Sequence, residues 1–219
     1  MVQKFPLYFP EGQEDRTIHL YLPDEYDYSD SRYPVLYMFD GHNLFFDADA
    51  TYGKSWGIKD FLDHWDKPVI VVGMECSHHG FDRIREYCPY DIYSRFAGGR
   101  IHGTGGQTMR WVIEDVKPYI DSHFRTWPHR EATAIGGSSM GGMMALYAVI
   151  RHNDVFSKGA CVSNALSGSM PALRQELAEQ PVNPDTRAFL SSGTEESFGQ
   201  MDRANREIAG ILSSQGAAA

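Results

Sequence analysis

A serine flanked by glycines constrains this chain more than any other feature of its sequence. Residues 134–146 read Ala-Ile-Gly-Gly-Ser-Ser-Met-Gly-Gly-Met-Met-Ala-Leu, so that Gly137 and Gly141 frame Ser139 in the pattern G-x-S-x-G. The short apolar run before the pattern predicts a strand, and the longer apolar run after it predicts a buried helix. The two glycines fit a sharp turn from strand into helix, where a side chain would collide. The sequence therefore predicts a strand, a tight turn and a helix with one serine at the apex.

This arrangement would expose the Ser139 hydroxyl as a nucleophile. The backbone N–H of Met140, at the start of the helix, would face the carbonyl under attack and stabilise the oxyanion of the tetrahedral intermediate. A flexible Gly-Ser linker is the competing interpretation of the same letters. The apolar runs on both sides favour the strand, turn and helix.

Length and charge narrow the possible partners. The 219 residues contain no internal repeat, which predicts one domain spanning residues 1–219. The balance of 20 basic and 29 acidic residues gives a net charge of −9, which disfavours nucleic acid and anionic membranes as partners. The sequence has no apolar signal core near residue 1 and no run long enough to cross a bilayer, so we expect a cytoplasmic protein.

Cysteine and histidine spacing does not indicate a metal centre. The three cysteines are Cys76, Cys88 and Cys161, and their spacing matches neither a zinc site nor a disulfide framework. We expect structural thiols. His78 and His79 are adjacent, and adjacent histidines point apart on most backbones, so no metal site is expected there.

Strands and helices alternate along the chain. Residues 34–39 and 69–74 are nearly continuous apolar runs, typical of strands that helices cover on both faces of a parallel sheet. Weaker strand candidates are residues 16–22, 159–163 and 187–192, and helix-like segments lie at residues 58–64, 108–124, 142–151 and 203–213. This alternation predicts an α/β fold with a mostly parallel sheet. Functional loops in such sheets leave the carboxyl ends of the strands.

Two further loops are placed to join the serine at that edge. Gly41 and His42 follow the strand at residues 34–39 in a tight turn, and the His42 N–H is our preferred second oxyanion donor. An ordinary Asp-Gly turn is the alternative. Glu195 and Glu196 follow the last predicted strand, after the serine in chain order, where a hydrolase acid is expected. A solvated pair near a helix N-terminus is the alternative for either glutamate.

Taken together, these residues resemble the esterase D-like family of α/β-hydrolases, which includes siderophore esterases, feruloyl esterases, S-formylglutathione hydrolases and mycolyltransferases. The resemblance extends from about residue 33 to about residue 211. It rests on Tyr-Pro-Val-Leu-Tyr-Met-Phe-Asp-Gly-His-Asn at 33–43, Ser-Trp-Gly at 55–57, Arg-Ile-Arg-Glu-Tyr at 83–87, Gly-Ser-Ser-Met-Gly-Gly at 137–142 and Gly-Thr-Glu-Glu at 193–196. It implies the α/β-hydrolase fold, three-layered with a mostly parallel central sheet.

The resemblance also implies roles for individual residues. Ser139 would be the nucleophile, and the N–H of Met140 together with the backbone after Gly41 would supply the oxyanion donors. Glu196 would be the acid of the triad, because the family's Gly-Thr-x-Glu spacing fits it, with Glu195 as second choice.

The activity implied by the resemblance is that of a serine esterase. The chain would hydrolyse a carboxylic ester of a small molecule through an acyl-enzyme, with no metal or organic cofactor. Trp56 would lie near the acyl pocket, although an aromatic side chain packed against the sheet is an equally good interpretation. Two other functions remain open: acyl transfer to an alcohol, and a non-catalytic, esterase-like binding protein.

One feature departs from the family. Hydrolases of this fold carry their triad in the order serine, acid, histidine, but the last of the nine histidines here is His152, well before Glu195. In the family a further strand and a loop with the base histidine follow the helix that matches residues 203–213. We therefore expect a fold shortened by its C-terminal strand and helix, and hydrolysis impaired by the missing base. None of the earlier histidines lies in the loop from which an imidazole bridges serine and acid.

Overall fold

A seven-stranded sheet forms the centre of the computed structural model, which describes residues 1–94, 98–166, 168–196 and 200–219. The strands in chain order are β1 Val2–Phe9, β2 Glu14–Tyr21, β3 Val35–Phe39, β4 Ile70–Met74, β5 Ile92–Ser94, β6 Gly99–Ile101, β7 Thr133–Ser138, β8 Lys158–Val162 and β9 Arg187–Ser191. Strands β5 and β6 pair only with each other, in a separate antiparallel hairpin.

The large sheet has the strand order β1-β2-β4-β3-β7-β8-β9. Strands β1 and β2 pair antiparallel, as do β2 and β4, and every later pair is parallel. The structure thus confirms the predicted α/β fold with a mostly parallel sheet. Strands β3 and β7 are neighbours, with Val35 opposite Thr133 and Met38 opposite Gly136. The loops that leave their carboxyl ends consequently lie side by side.

Helices cover the sheet. They are α1 Ile58–Asp63, α2 Asp82–Glu86, α3 Gly105–Trp111, α4 Lys117–His123, α5 Met140–Arg151, α6 Met170–Glu179 and α7 Gln200–Ser214. A π-helical turn, Val112–Val116, joins α3 to α4, so the single helix predicted for residues 108–124 is one helical stretch with a wider turn inside it. Helix α5 is buried from Gly141 to Ile150, as its uninterrupted apolar sequence predicts. None of the helices in the described part of the chain is both long and apolar enough to cross a bilayer.

The three cysteine thiols lie in the core. Cys76, Cys88 and Cys161 are all free and buried, which agrees with structural thiols, and burial raises the pKa of Cys161 to about 12. Beside β9, Ala218 forms an isolated parallel bridge with Arg187. The loops at the carboxyl ends of β3 and β7, in the middle of the sheet, carry Ser139 and His42.

Candidate functional site

Ser139 stands at a sharp turn between β7 and α5. Its φ of 60° and ψ of −117° lie in a region that non-glycine residues rarely adopt. Three backbone hydrogen bonds hold it there: its N–H donates to the Val162 carbonyl at 2.9 Å, and its carbonyl accepts from the N–H groups of Ala165 and Met143, both at 3.1 Å. The side chain is exposed. The backbone of β8 and the loop after it therefore fix the serine in a strained conformation that presents its hydroxyl outward.

The first glycine of the motif allows the turn to close. A Cβ at Gly137 would lie 2.7 Å from both the carbonyl carbon and the carbonyl oxygen of Gly141, a separation that real Cβ atoms do not show. The predicted reason for this glycine, lack of space, agrees with the structure. Met140 is the first residue of α5, so its N–H has no acceptor within the helix and is available to an oxyanion.

The turn after β3 lies directly against the serine's helix. Gly41–Asn43 forms a single turn of 3-10 helix, entered through Asp40 at φ 59°, in the left-handed region. Gly141 packs against Phe39 and Asp40, which places the start of α5 on this turn. The N–H groups that open a 3-10 turn have no partners within it, which is what the predicted donor role of His42 requires.

Gly41 has no room for a side chain. A Cβ there would lie 2.6 Å from the carbonyl oxygen of Gly73 and 2.8 Å from the backbone nitrogen of Met74. Both are backbone atoms of β4, so neither can move aside cheaply. The turn is thereby pressed onto its neighbouring strand.

We expect Gly41→Ala to lower the free energy of unfolding by about 1–3 kcal/mol, the usual cost of overpacking. Urea denaturation would measure it. The matched control is Gly106→Ala in α3, where an added Cβ meets no atom within 4 Å and should leave stability unchanged or slightly raised. A Gly41→Ala protein that unfolds at the wild-type urea concentration would show that the turn is not pressed against β4.

Ser139 opens into a cavity of about 460 Å³. Three of the predicted site residues contribute to its wall: Ser139, His42 and Trp56. Trp56 is 41% exposed rather than packed into the core, so its position agrees with the pocket interpretation. Its backbone N–H donates to the Asn43 carbonyl at 2.8 Å, which ties the segment 51–56 to the turn after β3. The remaining wall is mostly polar and consists of Asp40, Asn43, Thr51, Tyr52, Lys54, Cys76, Ser77, His78, Gly80, Arg83 and Ser138.

A buried ion pair anchors the same turn. The Arg83 guanidinium donates two hydrogen bonds to the Asp40 carboxylate, one to each oxygen and both at 2.7 Å. The Asp40 side chain is only 2% exposed. The Asp40 N–H donates to the Tyr87 hydroxyl at 3.1 Å. Asp40 is distant from Arg83 in the chain and reaches it only through the fold, so residue spacing does not indicate this pair.

His42 is 5% exposed and makes contacts with two neighbours. Its Nε2 lies 3.0 Å from the Thr51 hydroxyl oxygen, and its ring meets the His78 ring edge to face with centroids 4.6 Å apart. Burial lowers the pKa of His42, so the imidazole is neutral near pH 7. His78 was not among the predicted site residues. The loop after β4 brings it to the cavity, and only the pairing of β3 with β4 could have indicated this.

The two predicted acids lie elsewhere. Glu195 is exposed, and the Glu196 carboxylate accepts a hydrogen bond from the Gly193 N–H at 2.7 Å, closing its own turn after β9. Neither contributes to the described wall of the serine's cavity. The structure thus brings the elbow, the turn after β3 and Trp56 together, but not the carboxylates.

Comparison with known proteins places this geometry in a family. The model of the esterase family, described as "Putative esterase", matches residues 10–215. "Esterase Rv1288" from Mycobacterium tuberculosis (strain ATCC 25618 / H37Rv) is 30% identical over 150 residues, which is 68% of this chain and 29% of that protein. This chain therefore spans less than a third of the length of that relative.

Two solved structures share the fold. The IroE-like serine hydrolase from Shewanella oneidensis has a TM-score of 0.74 at 22% identity, covering 99% of this chain and 70% of that one. The enterobactin esterase FES from Shigella flexneri has a TM-score of 0.72 at 16% identity, covering 98% of this chain and 51% of that one. With a sheet of this order, a serine at the turn into α5 and a family match over residues 10–215, the chain belongs to the esterase family of α/β-hydrolase fold proteins.

Proposed function

We propose that this chain hydrolyses a carboxylic ester of a small molecule through an acyl-enzyme at Ser139. The observation that carries the proposal is the serine itself, exposed at φ 60° on the wall of a cavity of about 460 Å³. A non-glycine residue in this conformation costs about 1–3 kcal/mol, a cost typical of functional sites. The esterase family match and the hydrolase neighbours support the same activity.

The reaction follows from the groups around the cavity. The Ser139 Oγ attacks the ester carbonyl carbon, and the carbonyl oxygen takes up negative charge. The N–H groups of Met140 and His42 stabilise that charge, with Gly41 giving the turn its position. The bond to the alcohol oxygen then breaks, the alcohol leaves with the serine's proton, and water attacks the acyl-enzyme to release the acid. Trp56 forms part of the surface against which the substrate packs.

We assign the role of the triad acid to Glu196, because the Gly-Thr-x-Glu spacing of the family fits it. We also expect the ester to be turned over slowly. A serine hydroxyl needs a base to accept its proton. In the described ranges no histidine lies within hydrogen-bonding distance of the Glu196 carboxylate, whose partner is the Gly193 N–H. His152 lies in a different cavity, with Gln107 and Arg110. We therefore infer that both acylation and deacylation are slow, because each needs a base to accept a proton.

A fluorophosphonate probe, which reacts with nucleophilic serines, tests the nucleophile. We expect wild type to gain the mass of one adduct by intact-protein mass spectrometry and Ser139→Ala to gain none. Ser138→Ala is the matched control, because Ser138 lies on the same cavity wall and should not be needed for labelling. Equal labelling of wild type and Ser139→Ala would overturn the proposal, as would loss of labelling in Ser138→Ala alone.

A further inference from the structure

Three side chains with metal-ligand chemistry meet beside the serine's cavity, and two of them, His42 and His78, form part of its wall. His42 comes from the turn after β3, Glu75 from the residue that follows β4, and His78 from the loop beyond it. One ring nitrogen of each histidine and one carboxylate oxygen of Glu75 all lie within 4.8 Å of one another. Two imidazoles and a carboxylate are the donor set of many zinc sites.

His42 has a ring nitrogen whose surroundings point to a ligand. The side chain is 5% exposed, and its Nε2 is engaged by Thr51 at 3.0 Å. Its other nitrogen, Nδ1, is buried and has no hydrogen-bond partner among the described residues. A buried polar atom without a partner costs roughly 1–3 kcal/mol, which a bound cation would offset.

Glu75 is held in place by a second histidine. His19, a residue of β2 that is 2% exposed, places its Nε2 2.6 Å from one carboxylate oxygen of Glu75. The other oxygen lies 3.7 Å from the His78 Nε2. Such outer contacts orient the carboxylates that bind metals.

His78 gives an ion a route from solvent. Its side chain is 55% exposed, and it lies on the cavity wall together with His42 and Ser139. The site is therefore open on the cavity side, where a solvent molecule or an oxygen of a bound molecule can complete a tetrahedral shell.

We propose that His42, Glu75 and His78 bind one divalent ion of the zinc class beside the Ser139 cavity, whose wall His42 and His78 help to form. The ion would add positive charge to this wall and attract ligands with anionic or chelating oxygens. The proposal does not depend on ester hydrolysis, since it concerns binding alone. The proposed site includes His78 but not its neighbour His79, because only His78 lies close to the other two donors.

Cobalt(II) reports coordination directly and serves as the probe. Untagged protein is freed of metal with a chelator and titrated with Co²⁺ while the visible spectrum is recorded. We expect one equivalent to produce the strong absorption bands of tetrahedral Co²⁺, and Zn²⁺ to displace them. His78→Ala and Glu75→Gln should each weaken binding by about 100-fold, at or beyond the upper end of outer-shell effects.

His79→Ala is the matched control and should bind as wild type does. Circular dichroism confirms that each variant is folded, and His78 is exposed enough for its replacement to be tolerated. The absence of saturable Co²⁺ binding would overturn the proposal. So would undiminished binding in His78→Ala, or a thiolate-to-cobalt band, which would point to the nearby Cys76 instead.

Discussion

Ser139→Ala is expected to lower kcat/KM for an activated ester such as p-nitrophenyl acetate to the uncatalysed rate. The reason is that alanine retains the turn, the cavity and the oxyanion donors but removes the only atom proposed to form the acyl bond. Initial rates measured by release of p-nitrophenol would show the loss. Ser138→Ala, on the same wall, should keep most of the activity. A Ser139→Ala enzyme with wild-type kinetics would place the reaction elsewhere.

Stability gives an independent check on the same position. Ser139→Gly should lose activity as Ser139→Ala does, but it should raise the free energy of unfolding by about 1 kcal/mol, because glycine adopts a φ of 60° without strain. Ser139→Ala keeps a Cβ and should gain nothing. Urea denaturation of both variants separates these outcomes. Equal stability in the two would mean that the turn stores no strain at this residue.

Arg83→Met is expected to destabilise the fold by about 3–5 kcal/mol, the cost of leaving a buried charge without its partner. Arg83 donates to both oxygens of Asp40, and the Asp40 side chain is 2% exposed, so water cannot replace the lost contacts. The turn that Asp40 opens carries the proposed oxyanion donor, so fluorophosphonate labelling should slow as well. Chemical denaturation and the labelling rate measure the two effects.

Two further variants make the Arg83 result specific. Arg85→Met removes a guanidinium that is 52% exposed and 3.7 Å from Asp82, and such surface pairs contribute about 1 kcal/mol or less. The double variant Asp40→Asn/Arg83→Met removes the buried charge itself and should recover part of the stability, since asparagine also tolerates the left-handed φ of 59°. If Arg83→Met and Arg85→Met lose equal amounts, the buried pair does not stabilise the turn.

The elbow and the sheet could be predicted because their signals are local. The G-x-S-x-G pattern between two apolar runs specifies a strand, a turn and a helix within a few residues, and the structure has them as β7, Ser139 and α5. The meeting of the Gly41 turn with Ser139 followed from a general rule, that loops at the carboxyl ends of neighbouring parallel strands are adjacent. Strand β1 was missed, because Pro6 argues against a strand except at the edge of a sheet, which is where β1 lies.

Contacts between distant residues could not be predicted. The pairing of Asp40 with Arg83 and of His42 with Glu75 and His78 depends on β3 lying beside β4, and no residue spacing encodes that order. Residue spacing argues against a metal site at His78 and His79, because adjacent histidines point apart on most backbones. For the acids, chain order predicts the loop after β9, and in the structure the Glu196 carboxylate accepts a hydrogen bond from the Gly193 N–H. The roles of Glu195 and Glu196 remain predictions.

The close approach of Gly41 to β4 has a consequence for how this pocket can diversify. Because its backbone lies against the backbone of β4, the turn that contains Gly41 admits almost no change of shape. Variation has to enter through more exposed parts of the cavity wall, where Tyr52 is 94% exposed and Trp56 is 41% exposed. Variant libraries aimed at a new acyl or alcohol group should randomise Tyr52 and Trp56 and leave Gly41 unchanged.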